Sequence, residues 1–95
     1  MKVANALSEA IADAVRVLKE QGAREVYLFG SAATGRMHAR SDVDIAVAGL
    51  PPERYFRAFD LAARVLDRPL SLVDLDDETP FTRYLKAQGE LQRVG

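Results

Sequence analysis

Two aspartates at the head of an alternating segment constrain this chain more than any other feature. Residues 42–48 divide into two alternating sets, Val43, Ile45 and Val47 on one side and Asp42, Asp44 and Ala46 on the other. The alternation predicts a strand on which both carboxylates share a face, with Cα atoms about 7 Å apart. Carboxylates so placed repel each other, and hard cations such as Mg²⁺ take oxygen ligands of this kind. Asp-x-Asp alone is equally typical of a surface strand with two solvated acids.

A strand that ends in glycine and serine precedes the aspartates. Residues 25–29 are largely apolar or aromatic and run directly into Gly30 and Ser31. Glycine at a strand end lets the backbone approach a ligand closely. Ser31 is expected to cap a short helix over residues 32–34, whose free N–H groups suit a phosphate. A Gly-Ser pair alone is common in plain strand–turn–helix connections, but together with Asp-x-Asp at the head of the next strand it predicts a triphosphate and metal site.

This arrangement resembles the minimal nucleotidyltransferases of the DNA polymerase beta-like superfamily. That family carries an apolar residue before Gly-Ser, then a short gap, then Asp-x-Asp followed by apolar residues. The matching residues here are Phe29, Gly30, Ser31, Gly35, Ser41, Asp42 and Asp44. The resemblance implies an α/β (α+β) nucleotidyltransferase fold, in which a mixed sheet of three or four strands carries helices mainly on one face. Residues 1–95 are expected to form one minimal nucleotidyltransferase domain.

The resemblance also implies metal-assisted nucleotidyl transfer from ATP. Asp42 and Asp44 would be catalytic residues that hold Mg²⁺ or Mn²⁺. Gly30 and Ser31 would bind the nucleotide's outer phosphates while an acceptor hydroxyl attacks the α-phosphorus and pyrophosphate leaves.

Two further residues between the motifs are candidates for phosphate binding. Arg36 flanks the site, and its guanidinium fork matches phosphate oxygens, although a solvated loop arginine fits the sequence as well. Ser41 is expected to contact phosphate or to cap the local turn. Both are assigned to nucleotide binding.

The resemblance also implies a third carboxylate, which the family takes from the strand next to Asp-x-Asp. Residues 70–75 form an apolar run that predicts this strand, and Asp74 lies within it. Asp74 is therefore the first candidate for a third catalytic and metal-binding residue, because an unpaired buried charge is costly. Asp76 shares its parity and is the second candidate. Asp77 and Glu78 are expected instead to cap the following helix.

The other segments are predicted to be scaffold. Apolar residues at helical spacing predict helices over 3–21, 52–66 and 80–88, and the tail is expected to add a short last strand. The aromatic pair Tyr55 and Phe56 is expected to pack in the core rather than to bind a nucleotide, and Tyr84 is expected to be a packing residue.

Composition narrows the classes of function. The 95 residues carry a net charge of −1, so no global basic field recruits nucleic acid. The chain has no cysteine, which excludes disulfides and thiolate metal sites. No apolar run is long enough to span a bilayer and the N-terminus lacks the apolar core of a signal peptide, so we expect no membrane partner and a cytoplasmic location.

Small members of the family resemble antitoxins paired with HEPN-domain ribonuclease toxins. The resemblance implies that such an antitoxin forms a complex with its toxin and adenylylates a toxin tyrosine with ATP. Two alternatives stay open. The chain could neutralise its partner by docking alone, with a vestigial nucleotide site, or it could transfer a nucleotide to a small molecule.

Overall fold

A mixed sheet of four strands organises the fold. The computed structural model of the chain describes residues 2–34, 42–88 and 90–95. The elements follow one another as α1 (Lys2–Glu20), β1 (Glu25–Phe29), α2 (Ser31–Thr34), β2 (Val43–Ala48), a 3₁₀ turn (Pro52–Arg54), α3 (Tyr55–Leu66), β3 (Leu70–Asp74), α4 (Pro80–Gln88) and β4 (Gln92–Arg93). The predicted α/β fold with a mixed sheet is confirmed.

The strand order is β3-β2-β1-β4. β1 runs antiparallel to both β2 and β4, whereas β2 and β3 are parallel. A parallel pair needs a long crossover connection, and α3 provides it between β2 and β3. The sheet therefore has β2 inside and β3 at one edge, next to the strand that carries Asp44.

The main core lies between one face of the sheet and helices α1 and α3. The strands contribute buried residues at alternate positions, namely Val26, Leu28, Val43, Ile45, Val47 and Leu72. The helices contribute Ala14, Leu18, Ala58, Ala62 and Leu66. Burying an aliphatic side chain of valine, leucine or isoleucine size stabilises a fold by roughly 1.5–3 kcal/mol. Since this face is filled, the acidic residues of β2 must project from the other one.

The opposite face of the sheet carries a smaller cluster. Phe29, Ala46, Leu75 and Leu85 are buried there, and Leu85 belongs to α4. Two of the longer helices thus cover one face and the shorter α4 covers part of the other.

The start of α4 differs from the prediction. The Thr79 hydroxyl accepts a hydrogen bond from the Thr82 backbone N–H at 3.1 Å, and the Thr82 hydroxyl accepts one from the Thr79 N–H at 2.9 Å. This reciprocal pair caps the helix, so the predicted acidic cap is wrong. Glu78 instead lies 3.6 Å from Arg83 and 3.7 Å from Lys86.

Several aromatic residues of the later helices are exposed, and two of them, Phe56 and Tyr84, are predicted from the sequence to pack. Phe56 is 82% exposed, Tyr84 is 53% exposed and Phe81 is 48% exposed. The inward face of α3 is formed by small and aliphatic residues four positions apart, which turns Phe56 outward. Tyr55 is half-buried against the core, and its hydroxyl donates a hydrogen bond to the Leu72 carbonyl on the sheet edge.

No helix within the described residues combines the length and the apolar character that crossing a bilayer requires.

Candidate active site

The Asp-x-Asp pair lies at the start of β2. The strand begins at Val43, so Asp42 immediately precedes it and Asp44 is its second residue. Val43 and Ile45 are fully buried toward α1 and α3, whereas Asp44 is half-buried and Asp42 is exposed. The alternation predicted from the sequence therefore turns Asp44 to the face that α4 only partly covers.

The electrostatics of Asp44 are unfavourable without a cation. Burial raises the pKa of Asp44, and the negative charge of Asp42 raises that pKa further. Both effects disfavour the ionised carboxylate, and a divalent cation beside the two groups would relieve both. Two hard oxygen donors on neighbouring positions fit Mg²⁺ or Mn²⁺, which are commonly held by one or two carboxylates plus substrate phosphates.

This imbalance predicts that Asp44→Asn stabilises the metal-free protein. Because the folded pKa is raised above the ordinary value of 3.8, the folded state loses stability as the pH rises through the window between the two values. The substitution removes that loss. The gain in stability over wild type is therefore complete above the raised pKa of Asp44 and vanishes below its ordinary pKa. We expect a melting temperature a few degrees higher at neutral pH, since about 1 kcal/mol shifts such a domain by roughly 4–8 °C.

Thermal unfolding in the presence of a chelator, from acidic to neutral pH, measures this difference. An Asp44→Asn variant that is less stable than wild type at neutral pH would mean that groups of the protein already compensate the carboxylate.

Gly30 lies directly against Asp44. Phe29 pairs with Asp44 across the antiparallel strands β1 and β2, and Gly30 follows with φ of 62°. A Cβ atom on Gly30 would be 2.4 Å from the Asp44 Oδ2 atom. Ser31 begins α2 and is half-buried. The turn and the carboxylate predicted to act together are thus neighbours in space.

Asp74 lies elsewhere. The parallel register pairs Asp74 with Val47 and pairs Asp44 with Ser71. Asp74 is therefore three positions along the sheet from Asp44, about 10 Å, and it shares the face of Val47, which points to α1 and α3. Within the described residues, no three acidic, histidine or cysteine side chains are grouped so that they could hold a metal. The expectation that Asp74 joins the pair does not agree with this placement.

Asp74 and Asp76 instead order the turn after β3. The Asp74 Oδ1 atom accepts a hydrogen bond from the Asp76 N–H at 2.9 Å, and the Asp76 Oδ2 atom accepts one from the Gly49 N–H at 2.7 Å. Both bonds lie at the end of β2 that is remote from Asp44. Asp76 is therefore no substitute for the third acid.

We expect Asp76→Ala to lower stability modestly and to leave the site intact. The loss of its hydrogen bond to Gly49 should cost about 0.5–1.5 kcal/mol, with the low end favoured because water can reach the freed N–H. Asp77→Ala is the matched control, since the structure gives that exposed side chain no hydrogen bond within the described residues. Urea unfolding and nucleotide binding of both variants test the role, and an Asp76→Ala variant that folds normally but binds no nucleotide would contradict it.

Arg36 and Ser41 lie outside the described residues, as do Gly35 and the rest of segment 35–41. Their assignment to phosphate binding stays a prediction. The residue that sequence reasoning missed is Ser71, which the register places beside Asp44. The alternation along this strand could have identified it. Leu70 and Leu72 are apolar and face the core, so Ser71 between them faces the other side of the sheet.

A family model places this geometry among known proteins. The model of the polymerase beta nucleotidyltransferases matches residues 12–92. The chain belongs to the polymerase beta nucleotidyltransferase family. The match includes both site motifs, from Gly30 to Asp44. A search of curated protein sequences finds no match to this chain.

Solved structures with the same fold include toxin–antitoxin complexes. A toxin–antitoxin structure with AMP-PNP is 26% identical, with a TM-score of 0.67, and the alignment covers 83% of this chain and 67% of that one. The structure of a tri-AMPylated Shewanella oneidensis HEPN toxin with its MNT antitoxin is 21% identical, with a TM-score of 0.65 and coverage of 92% and 70%. A candidate minimal nucleotidyltransferase is 21% identical, with a TM-score of 0.72 and coverage of 94% and 91%.

Proposed function

We propose that this nucleotidyltransferase transfers AMP from ATP to a tyrosine hydroxyl of a HEPN-type ribonuclease toxin and thereby acts as its antitoxin. The observation that carries the proposal is the contact between the Gly30 backbone and the Asp44 carboxylate, with the charge of Asp42 close enough to raise the pKa of Asp44. Because Gly30 has no Cβ atom, the turn backbone can lie close to the Asp42–Asp44 pair. A phosphate chain bound to a cation at this pair needs such a close backbone.

Each residue of the pair has a defined task in the proposal. Asp42 and Asp44 hold Mg²⁺ or Mn²⁺, which would neutralise phosphate charge and polarise the α-phosphoryl group when bound. Gly30 lets the turn backbone lie against the Asp44 carboxylate, and the Gly30–Ser31 turn would bind the outer phosphates of the nucleotide. Asp42 is exposed, so an acceptor hydroxyl can reach the pair from solvent. Positioning and charge neutralisation supply most of the rate.

Support for the partner comes from the related structures. A 26% identical antitoxin complex contains AMP-PNP, and the fold is shared with an MNT antitoxin bound to a HEPN toxin that carries AMP groups. The exposed rings of Phe56, Phe81 and Tyr84 on this chain are also consistent with a protein partner, because large exposed aromatic side chains are enriched at interfaces.

Docking without catalysis is the second candidate function. It is favoured by one observation, which is that the described residues bring only two carboxylates together. In this case the chain neutralises the toxin by binding, and the nucleotide site is vestigial.

Intact-mass spectrometry of a HEPN-type toxin that binds this chain separates the two functions. The toxin is incubated with the chain and Mg²⁺, in one series with ATP and in a control series with α,β-methylene-ATP at the same concentration, because the α–β linkage of that analogue cannot be cleaved. We expect the toxin to gain one or more AMP masses only when both the chain and ATP are present, and peptide mapping to place them on tyrosine. An unchanged mass, together with a stable complex on a sizing column and a silenced ribonuclease, would overturn AMP transfer and establish docking.

A further inference from the structure

Ser71 shares both the face and the level of Asp44 on the neighbouring strand. The two residues are register partners across the parallel pair β2–β3, and register partners project to the same side of a sheet. The adjacent pair Ala46 and Val73 confirms the side, because both belong to the cluster opposite α1 and α3. Ser71 is exposed, so its side chain is accessible on the face of the sheet that carries Asp44.

No other residue of β3 has this relation to Asp44. Leu70 and Leu72 face the main core, and Val73 lies two positions farther along the strand and packs against the smaller cluster. Asp74 is farther still and projects to the other face. A third oxygen ligand contributed to the Asp42–Asp44 pair by β3 must therefore come from position 71.

We propose that Ser71 occupies the third-ligand position of this site, and that its neutral hydroxyl makes divalent-cation binding depend on the phosphates of the nucleotide. The inference rests on the proposed nucleotide site and specifies how that site is loaded. Two carboxylates give a local charge smaller than three would, and affinity for hard cations rises with the number of charged ligands. A triphosphate supplies the missing anionic oxygens, so metal and nucleotide bind together.

Mn²⁺ titration of the whole chain, followed by the paramagnetic resonance signal of the free ion, tests this inference without any turnover. We expect wild type to bind Mn²⁺ weakly alone and at least about tenfold more tightly with AMP-PNP, after correction for Mn²⁺ bound by free AMP-PNP. Ser71→Asp should tighten nucleotide-free binding by about tenfold or more, because it adds a carboxylate beside Asp44. Ser71→Asn introduces a side chain with the shape of aspartate but no charge, and it should leave nucleotide-free Mn²⁺ binding unchanged. Asp74→Asn should also leave it unchanged.

Two outcomes would overturn the inference. In the first, Asp44→Asn abolishes Mn²⁺ binding, but Ser71→Asp leaves the Mn²⁺ affinity unchanged. The other is an Asp74→Asn variant that loses Mn²⁺ as Asp44→Asn does. If the proposed nucleotide site itself is wrong, the titration gives another pattern. AMP-PNP would then leave the Mn²⁺ affinity of wild type unchanged, and the Asp44→Asn variant would bind Mn²⁺ as wild type does.

A thiol offers a second test in case the aspartate variant does not fold. The chain has no cysteine, so Ser71→Cys introduces the only thiol. We expect Cd²⁺ to give a thiolate charge-transfer band with this variant that weakens when Asp44→Asn is added. The band of Asp74→Cys should not respond to Asp44→Asn, and equal responses of the two bands would contradict the assigned position.

Discussion

Asparagine at both Asp42 and Asp44 is expected to reduce AMP transfer to the toxin by at least about a thousandfold, which corresponds to roughly 4 kcal/mol of transition-state stabilisation. The two carboxylates are the only acidic groups that the described residues place at the start of β2, beside the Gly30 turn. Without their charges, the site loses the anionic ligands that would hold a divalent cation against the triphosphate. The fold should persist, because asparagine has nearly the shape of aspartate and removes a carboxylate whose ionisation burial disfavours.

Single-turnover incorporation of labelled AMP measures this loss, with circular dichroism and thermal unfolding as controls for the fold. Asp74→Asn is the matched substitution, since it makes the same chemical change on the neighbouring strand and on the other face. We expect it to transfer AMP at close to the wild-type rate. Transfer by the double variant at an undiminished rate would show that the metal assignment is wrong, and a large loss with Asp74→Asn would return that residue to the site.

Toxin neutralisation by the same variants separates catalysis from docking in a cell. If AMP transfer is the mechanism, the double variant should fail to protect, whereas Asp74→Asn should protect fully. Protection by a double variant that transfers no AMP would favour docking.

The fold and the placement of Asp44 beside Gly30 could be predicted from local patterns. Alternation in residues 42–48 predicts which side of β2 is buried, and the structure places Val43 and Ile45 there, with Asp44 opposite. The turn at Gly30 can likewise be predicted from adjacent residues, because a strand that runs directly into Gly-Ser ends there in a turn. These features depend on neighbours within a few positions, which a sequence displays directly.

The third ligand position depends on register, which a sequence does not display. Asp74 and Ser71 lie on the same predicted strand, but only the pairing of β2 with β3 determines which of them meets Asp44. A shift of three positions changes both the level and the face of a residue, so the acid in the apolar run does not meet Asp44. The exposed ring of Phe56 has a related cause, because α3 carries apolar residues on more than one side and only packing selects the buried one.

Gly30→Ala should disable the site with only a moderate loss of stability. At φ of 62°, a residue with a Cβ atom is strained by roughly 1–2 kcal/mol, which the fold should survive. The new Cβ atom would meet the Asp44 Oδ2 atom at 2.4 Å, so the carboxylate must turn away because the Gly30 backbone is held by the strand. We expect Mn²⁺·AMP-PNP binding to weaken by at least about tenfold, equivalent to about 1.4 kcal/mol or more.

Gly49→Ala is the matched control for backbone strain. Gly49 also has a positive φ, 78°, but its added Cβ atom would meet the Arg24 side chain at 2.8 Å, at the other end of β2. Both variants should therefore lose stability, whereas only Gly30→Ala should lose the ligand. Adding Asp44→Asn to Gly30→Ala should cause little further loss of binding, because the two changes remove the same interaction. Equal Mn²⁺·AMP-PNP affinities of the two alanine variants would contradict this role. Displacement of Asp44 would then have no effect on nucleotide binding, and Gly30 would be needed only for the backbone turn.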